Sequence, residues 1–354
     1  MPKAKFTKAK ISGIVVTTGQ LLKKVDDDAK MFNGTYEQLE RIKKTIGLNE
    51  RWVVSDGTTT ADLCEDAARR LIKMASLQPN QIDAIICVTQ TPDHFQPCNA
   101  AILHGRLDLP KNSAAFDINL GCSGWIVGLY VASLMIESGG CQKILLLAGD
   151  TLSKCVNARD RSVASLFGDA GSATLLEEGS CRSWFSLHTN GKGAGFIKIP
   201  SGGFRSPSTA ETKVERISED GNIRSLENLA MNGGEVFNFS IFEEPSAIRE
   251  ILDFSGFAME EIDYIVFHQA NKYIIRNIAR RLKLPAEKTP CSTVERFGNQ
   301  SSASIPATIC AEISNVLRCS PTRLVLSGFG VGLSWASCVV ETSAVPILEI
   351  NRME

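Results

Sequence analysis

The chain repeats itself at a fixed interval. Gln81-Ile82-Asp83-Ala84-Ile85-Ile86 returns as Glu261-Ile262-Asp263-Tyr264-Ile265-Val266, and Lys143-Ile144-Leu145-Leu146-Leu147 returns as Arg323-Leu324-Val325-Leu326. Ile82 and Ile262 stand 180 residues apart, and so do Lys143 and Arg323. The first run of each copy follows an amphipathic stretch, Thr60 to Ala75 in one and Glu244 to Phe254 in the other. Helical periodicity leading into a short continuous apolar run is the pattern of a β-α-β unit with a buried sheet. Two copies predict an α/β chain of two halves, 1–180 and 181–354, related by a pseudo-twofold axis.

Composition narrows the partners. The 354 residues are 44% hydrophobic and carry a formal net charge of −1, which excludes the basic footprint of a nucleic-acid binder. The first twelve residues are basic but lead into no apolar signal-peptide core, so a cytoplasmic protein is expected. The longest apolar run, Trp125 to Ile136, is too short to span a bilayer and reads as a buried helix. The eleven cysteines form no C-x-x-C pair, so neither a zinc site nor a disulfide framework is expected.

One of those cysteines sits differently from the rest. Ala114 to Leu120 reads as a strand, Gly121-Cys122-Ser123-Gly124 as a tight turn, and Trp125 onward as the apolar helix. A thiol at a strand-to-helix turn meets the unpaired N–H groups of a helix start, which favour a thiolate and can hold an oxyanion. The 180-residue offset sets Cys122 opposite Ser302, and Gly298-Asn299-Gln300-Ser301-Ser302-Ala303 opens a helix of its own, Ile305 to Val316. His268 ends the strand that follows Asp263, at the carboxyl edge where α/β sheets place ligands. Cys122, His268 and Asn299 are therefore expected to converge.

Each has a plainer reading when taken singly. Free cysteines are mostly small buried hydrophobes. A lone histidine is usually structural, and His94, His104 and His188 are read that way, in a loop, a helix and a strand. Gly-Asn is a common turn dipeptide.

Five motifs decide between these readings: Asp117 through Gly124; Phe167-Gly168-Asp169-Ala170-Gly171; His268-Gln269-Ala270-Asn271; Gly298 through Pro306; and Gly328-Phe329-Gly330-Val331-Gly332. Together, over nearly the whole chain, they resemble the 3-oxoacyl-acyl-carrier-protein synthase III family of thiolase-like condensing enzymes. Asn299 sorts the chain within that superfamily, since elongating synthases carry a second histidine there and thiolases another cysteine. Plant-type polyketide synthases share Cys, His and Asn but fit the overall pattern less well.

The resemblance implies a duplicated αβαβα five-layer fold and a homodimer, an isologous twofold being the commonest arrangement. It implies an acyltransferase that loads Cys122 from a thioester donor, an acyl-CoA or an acyl-carrier protein. Malonyl-acyl-carrier protein is the implied second substrate, with His268 and Asn299 stabilising its enolate. CoA and phosphopantetheine thioesters enter as substrates, with no resident cofactor or metal. The backbone N–H groups of Cys122 and of Val331, beside Gly330, form the implied oxyanion hole. Arg161, Asn271, Gln96 and Phe329 are the implied substrate-binding residues.

Three positions depart from the family pattern. Arg41 stands where a tryptophan usually faces Arg161 across the CoA adenine. Tyr273 stands where an arginine usually docks carrier protein, while Lys272, Arg276 and Arg280 recur at i+4 spacing and form one basic helix face suited to an acidic carrier. Gln96 replaces an aromatic that closes the partner subunit's acyl pocket. The segment Gly202 to Leu229 is longer and more polar than usual and reads as a surface loop near the site's mouth or the dimer edge.

Two other classes compete. A specialised relative would pass the acyl group from Cys122 to another acceptor, in surface-polysaccharide or secondary metabolism. A papain-like hydrolase shares the chain order Cys, His, Asn, but the duplication and the glycine-rich C-terminal loop argue against it. A non-catalytic scaffold has no use for the full triad.

Overall fold

A computed structural model describes residues 2–32 and 36–354. Among them, two sheets form the frame. The first has six strands in the order Ile347–Arg352, Ala9–Thr18, Ala170–Glu178, Lys143–Asp150, Ala84–Val88 and Ala114–Ile118. The second has five, in the order Lys3–Phe6, Ser183–Thr189, Ser334–Thr342, Thr322–Gly330 and Tyr264–Phe267.

The repeat is visible in the strand register. Ala84 pairs with Ile144 in a parallel ladder, and Tyr264 pairs with Leu324 in another. All four positions obey the 180-residue offset read from the sequence. The helix Gly124–Glu137 has its counterpart in Ser304–Leu317, again 180 residues on. The counterpart is not uniform: Ser304–Thr308 and Ser314–Leu317 are α-helical and flank a π turn at Ile309–Ile313.

These two helices form the central layer. Trp125, Ile126, Leu129 and Ile136 from one, and Ile305, Ile309, Ile313 and Leu317 from the other, share one apolar core. Ile86, Val88, Leu146 and Leu326 reach into that core from the two sheets. The alternate residues point outward. Ile85, Cys87, Leu145 and Leu147 pack against the helix Thr60–Met74, and Ile265, Phe267 and Val325 against Gly233–Ser255 and Lys272–Leu282. Both faces of each sheet are covered, which is why the strands read as continuous apolar runs. The result is the expected five-layer αβαβα stack, an architecture unlike a papain-like hydrolase.

The termini cross between the sheets. Lys3–Phe6 pairs with Ser183–Thr189 in the second sheet, and Ile347–Arg352 pairs with Ala9–Thr18 in the first. The sheets thus do not divide at one chain position, because each takes an edge strand from the other half.

The helix expected over Glu244 to Phe254 extends from Gly233 to Ser255 and runs through Pro245. A proline there removes the bond to the carbonyl four residues earlier. That carbonyl, Ile241, instead accepts a hydrogen bond from Arg281 at 3.0 Å, and the Arg281 guanidinium lies over the Phe242 ring. A helix that looks broken in sequence is mended from its neighbour.

Segment 202–229 is largely exposed and carries a two-residue ladder, Arg216–Ile217 with Ile223–Arg224. It is anchored by Arg224, which donates to the buried Asp160 at 2.7 Å.

Trp125 is fully buried at the centre, and its indole N–H donates to Thr174 Oγ1 at 3.0 Å. Trp125→Ala is expected to lower stability by about 3–5 kcal/mol, read as a fall in the urea unfolding midpoint.

Candidate active site

Cys122 sits where the two halves touch. Its turn precedes the central helix, and the strand Thr322–Gly330 of the second sheet crosses directly over it. A Cβ on Gly328 would lie 2.6 Å from the Cys122 carbonyl oxygen and 2.9 Å from Ser123 Cα. A Cβ on Gly330 would lie 2.8 Å from Cys122 Sγ. Only glycine allows this approach. The Ser123 and Ser334 hydroxyls, 2.7 Å apart, tie the crossing from the side.

The thiol is not held as a thiolate. Burial, with the Asp150 carboxylate adding to it, pushes the Cys122 thiol up to about 12, against the opposing effect of the nearby Val331 and Cys122 N–H groups. This corrects the expectation drawn from the helix start: desolvation and a buried like charge outweigh the backbone donors. The two N–H groups named for the oxyanion hole both face the sulfur.

Asp150 escaped the sequence reading. It ends the strand Lys143–Asp150, almost fully buried, and accepts from the Gln90 N–H at 2.7 Å, the Ser302 hydroxyl at 2.9 Å and the Thr89 hydroxyl at 3.2 Å. Its signal was present: a lone carboxylate closing an apolar strand must find donors or lose its charge.

His268 follows the strand Tyr264–Phe267. Its backbone N–H donates to the Ser327 carbonyl at 2.8 Å, its Nδ1 lies 2.6 Å from Ser304 Oγ, and its ring stands edge-on to Phe329 at 5.6 Å. Burial lowers its pKa to about 3, opposed by a hydrogen bond to the Ser301 carbonyl. The imidazole is therefore neutral over the whole physiological range.

Asn299 is locked by its neighbours. Its Oδ1 accepts from the Ser301 N–H at 2.9 Å and its Nδ2 donates to the Ala270 carbonyl at 3.4 Å. Gly298 reaches it with φ +75°, and a Cβ there would meet the Gly168 nitrogen at 2.8 Å.

One cavity of about 340 Å³ gathers these groups. Cys122, His268, Asn299, Asn271, Phe329 and Val331 line it, with an apolar wall that includes Ile197, Leu229, Val236 and Ile274. Asn271 also caps the helix Lys272–Leu282 by accepting from the Ile274 N–H at 2.8 Å.

Other sequence candidates lie elsewhere. Arg161 is exposed outside this cavity, with its Nε 3.3 Å from Asn222 Oδ1. The Arg41 side chain lies outside the described residues. Gln96 is exposed and lines a separate surface cavity. Lys272 is largely covered and ion-paired to Glu295, whereas Arg276 and Arg280 are exposed on the same helix. Tyr273 stacks on Phe237. Of the remaining histidines, His188 stacks on Trp335, His104 Nε2 lies 3.0 Å from the Pro110 carbonyl, and His94 is exposed.

The sequence model described as 3-oxoacyl-[acyl-carrier-protein (ACP)] synthase III matches residues 116–193, and that of its C-terminal part matches residues 252–342. A putative 3-oxoacyl-[acyl-carrier-protein] synthase 3 of Campylobacter jejuni is 38% identical over 340 residues, covering 96% of this chain and 95% of its own. The chain belongs to the 3-oxoacyl-acyl-carrier-protein synthase III family. A beta-ketoacyl-[acyl-carrier-protein] synthase III of Caldanaerobacter subterraneus is 35% identical over 86% of this chain and 89% of its own. The crystal structure of a 3-oxoacyl-(acyl-carrier protein) synthase from Burkholderia xenovorans superposes with a TM-score of 0.93, at 35% identity over 99% of each chain. The protein is thus a thiolase-like condensing enzyme of fatty-acid type. Among the described residues, no helix is long and apolar enough to cross a membrane.

The raised Cys122 pKa generates a test. Alkylation of Cys122 by iodoacetamide in the free enzyme should keep rising with pH through pH 10, with no plateau near neutrality. Asp150→Asn removes a carboxylate that adds to the effect of burial, so alkylation at pH 8 should increase. Peptide mapping of Cys122 against pH checks both.

Proposed function

We propose that this synthase III family member performs a decarboxylative Claisen condensation through an acyl-Cys122 intermediate. The observation that carries the reading is the convergence of Cys122, a neutral His268 and Asn299 on one apolar-walled cavity. Acylation begins with the thiol protonated. As the sulfur attacks the donor thioester, its proton passes to the departing thiol. The N–H groups of Cys122 and Val331 hold the oxyanion of that step.

A malonyl thioester then occupies the cavity. His268 and Asn299 donate to its thioester carbonyl while carbon dioxide leaves, and the resulting enolate attacks the acyl carbon. The Cys122 sulfur departs as a thiolate and takes a proton from water, and a 3-oxoacyl thioester is released. A preorganised donor of this kind is worth about 3–4 kcal/mol. A neutral imidazole suits the task, because it keeps a donor without stabilising the carboxylate that must be lost.

The donor is an acyl-CoA or an acyl-carrier protein, and the extender is malonyl-acyl-carrier protein. Arg276 and Arg280 are the exposed cations of the proposed carrier face, with Lys272 supporting it through Glu295. We place the enzyme in the cytoplasm as a homodimer, in which Phe95 and Gln96 approach the partner's site.

Incubation with an acyl-CoA panel, followed by malonyl-acyl-carrier protein, tests the reading by intact mass. An acyl adduct on Cys122 that discharges into a 3-oxoacyl product is the expected outcome, and Cys122→Ala should abolish it. Loading without discharge would assign the acyl group to another acceptor. Asn299→Ala should slow condensation by about 10²–10³, so that acyl-enzyme accumulates. Because His268 is already neutral above about pH 3, the condensation rate should show no acid limb near pH 6.5.

A further inference from the structure

Gln90 and Thr91 line the Cys122 cavity, and the same two residues line the larger surface cavity that holds Phe95, Gln96 and Phe204. They form the partition between the two spaces. Thr91 is committed to that wall: its hydroxyl lies 2.8 Å from Thr60 Oγ1 and accepts from the Thr151 N–H at 2.9 Å. The Gln90 backbone is committed too, through its N–H to Asp150.

The Gln90 side chain is not committed. Its amide makes no hydrogen bond among the described residues, yet it lies over the residue that precedes the nucleophile. A Cβ on Gly121 would sit 1.8 Å from Gln90 Oε1 and 3.2 Å from Val331 Cγ1. The amide and the Val331 side chain thus stand together beside Cys122, in a cavity whose walls are otherwise largely apolar.

We propose that Gln90 sets the acyl specificity of Cys122, selecting a short acyl group with a hydrogen-bonding substituent and closing the way into the second cavity. The inference rests on Cys122 being the acylated residue. A saturated chain against this amide would leave its donor and acceptor dry and unpaired, whereas a hydroxyl or carbonyl on the acyl chain would satisfy them. In the covalent step the Cys122 sulfur–acyl bond forms as the donor carbon–sulfur bond breaks, and the thiol proton ends on the departing thiol.

The test uses N-acetylcysteamine thioesters, which bypass CoA and carrier recognition, with loading of the full-length enzyme read by intact mass. The wild type should load 3-hydroxybutyryl at least tenfold faster than butyryl. Gln90→Leu, which keeps the bulk and removes the amide, should shift that ratio at least tenfold toward butyryl. Gln90→Ala, which opens the partition, should raise octanoyl over butyryl loading at least tenfold. Thermal unfolding checks that each variant is folded, and the near-isosteric leucine carries the test if alanine is not. Ratios within twofold of wild type would overturn the role of Gln90 while leaving acylation of Cys122 intact. No loading of the folded wild type by any thioester would overturn the acyl-enzyme reading, and this inference with it.

Discussion

The structure turns on a contact between backbones. Gly328 and Gly330 lay the end of one strand across the Cys122 turn, at distances where any side chain would strike the Cys122 carbonyl or sulfur. That crossing brings the second sheet's loop onto the nucleophile and aims the Val331 N–H at its sulfur. It also holds the two central helices in their twofold relation, because Cys122 starts one and Ser302, beside Asp150, precedes the other. A duplicated fold with a single site at its axis needs this close approach, and only residues without a Cβ provide it.

Electrostatics at the axis follow from burial more than from helix ends. Asp150 gathers donors from two distant segments of chain, Thr89 with Gln90 and Ser302, and stands behind the thiol as a like charge to any thiolate. Among the described residues no carboxylate pairs with the buried His268, so its neutral form dominates. The resting site therefore holds a protonated thiol and a neutral imidazole, and charge is generated only as a thioester reacts. Such a pair limits adventitious thiolate chemistry while keeping both groups ready.

The side chains beside the motif residues separate into those that touch the site and those that do not. Val331 keeps its backbone donor, and its side chain narrows the space beside Gly121 together with Gln90. Arg281, on the same helix as Lys272, Arg276 and Arg280, supports the helix through Pro245. Lys272 answers Glu295. A charge count along the helix overstated the free cations, because pairing is settled by neighbours far away in the chain.

Residue order made legible the duplication, its 180-residue offset, the α/β class and the candidates Cys122, His268 and Asn299, because periodicity and motif spacing are local properties that survive into the fold. It also carried the strand register, since both parallel ladders keep the repeat interval. Tertiary structure alone decided the protonation of Cys122, the part played by Asp150, the place of Arg161 outside the cavity and the position of Gln90 over Gly121. It also decided that the sheets exchange their terminal strands and that the helix around Pro245 continues back to Gly233. The physical reason is the same in each case: desolvation, through-space charge and satisfied carbonyls depend on residues tens to hundreds of positions apart, and no local pattern encodes their distance.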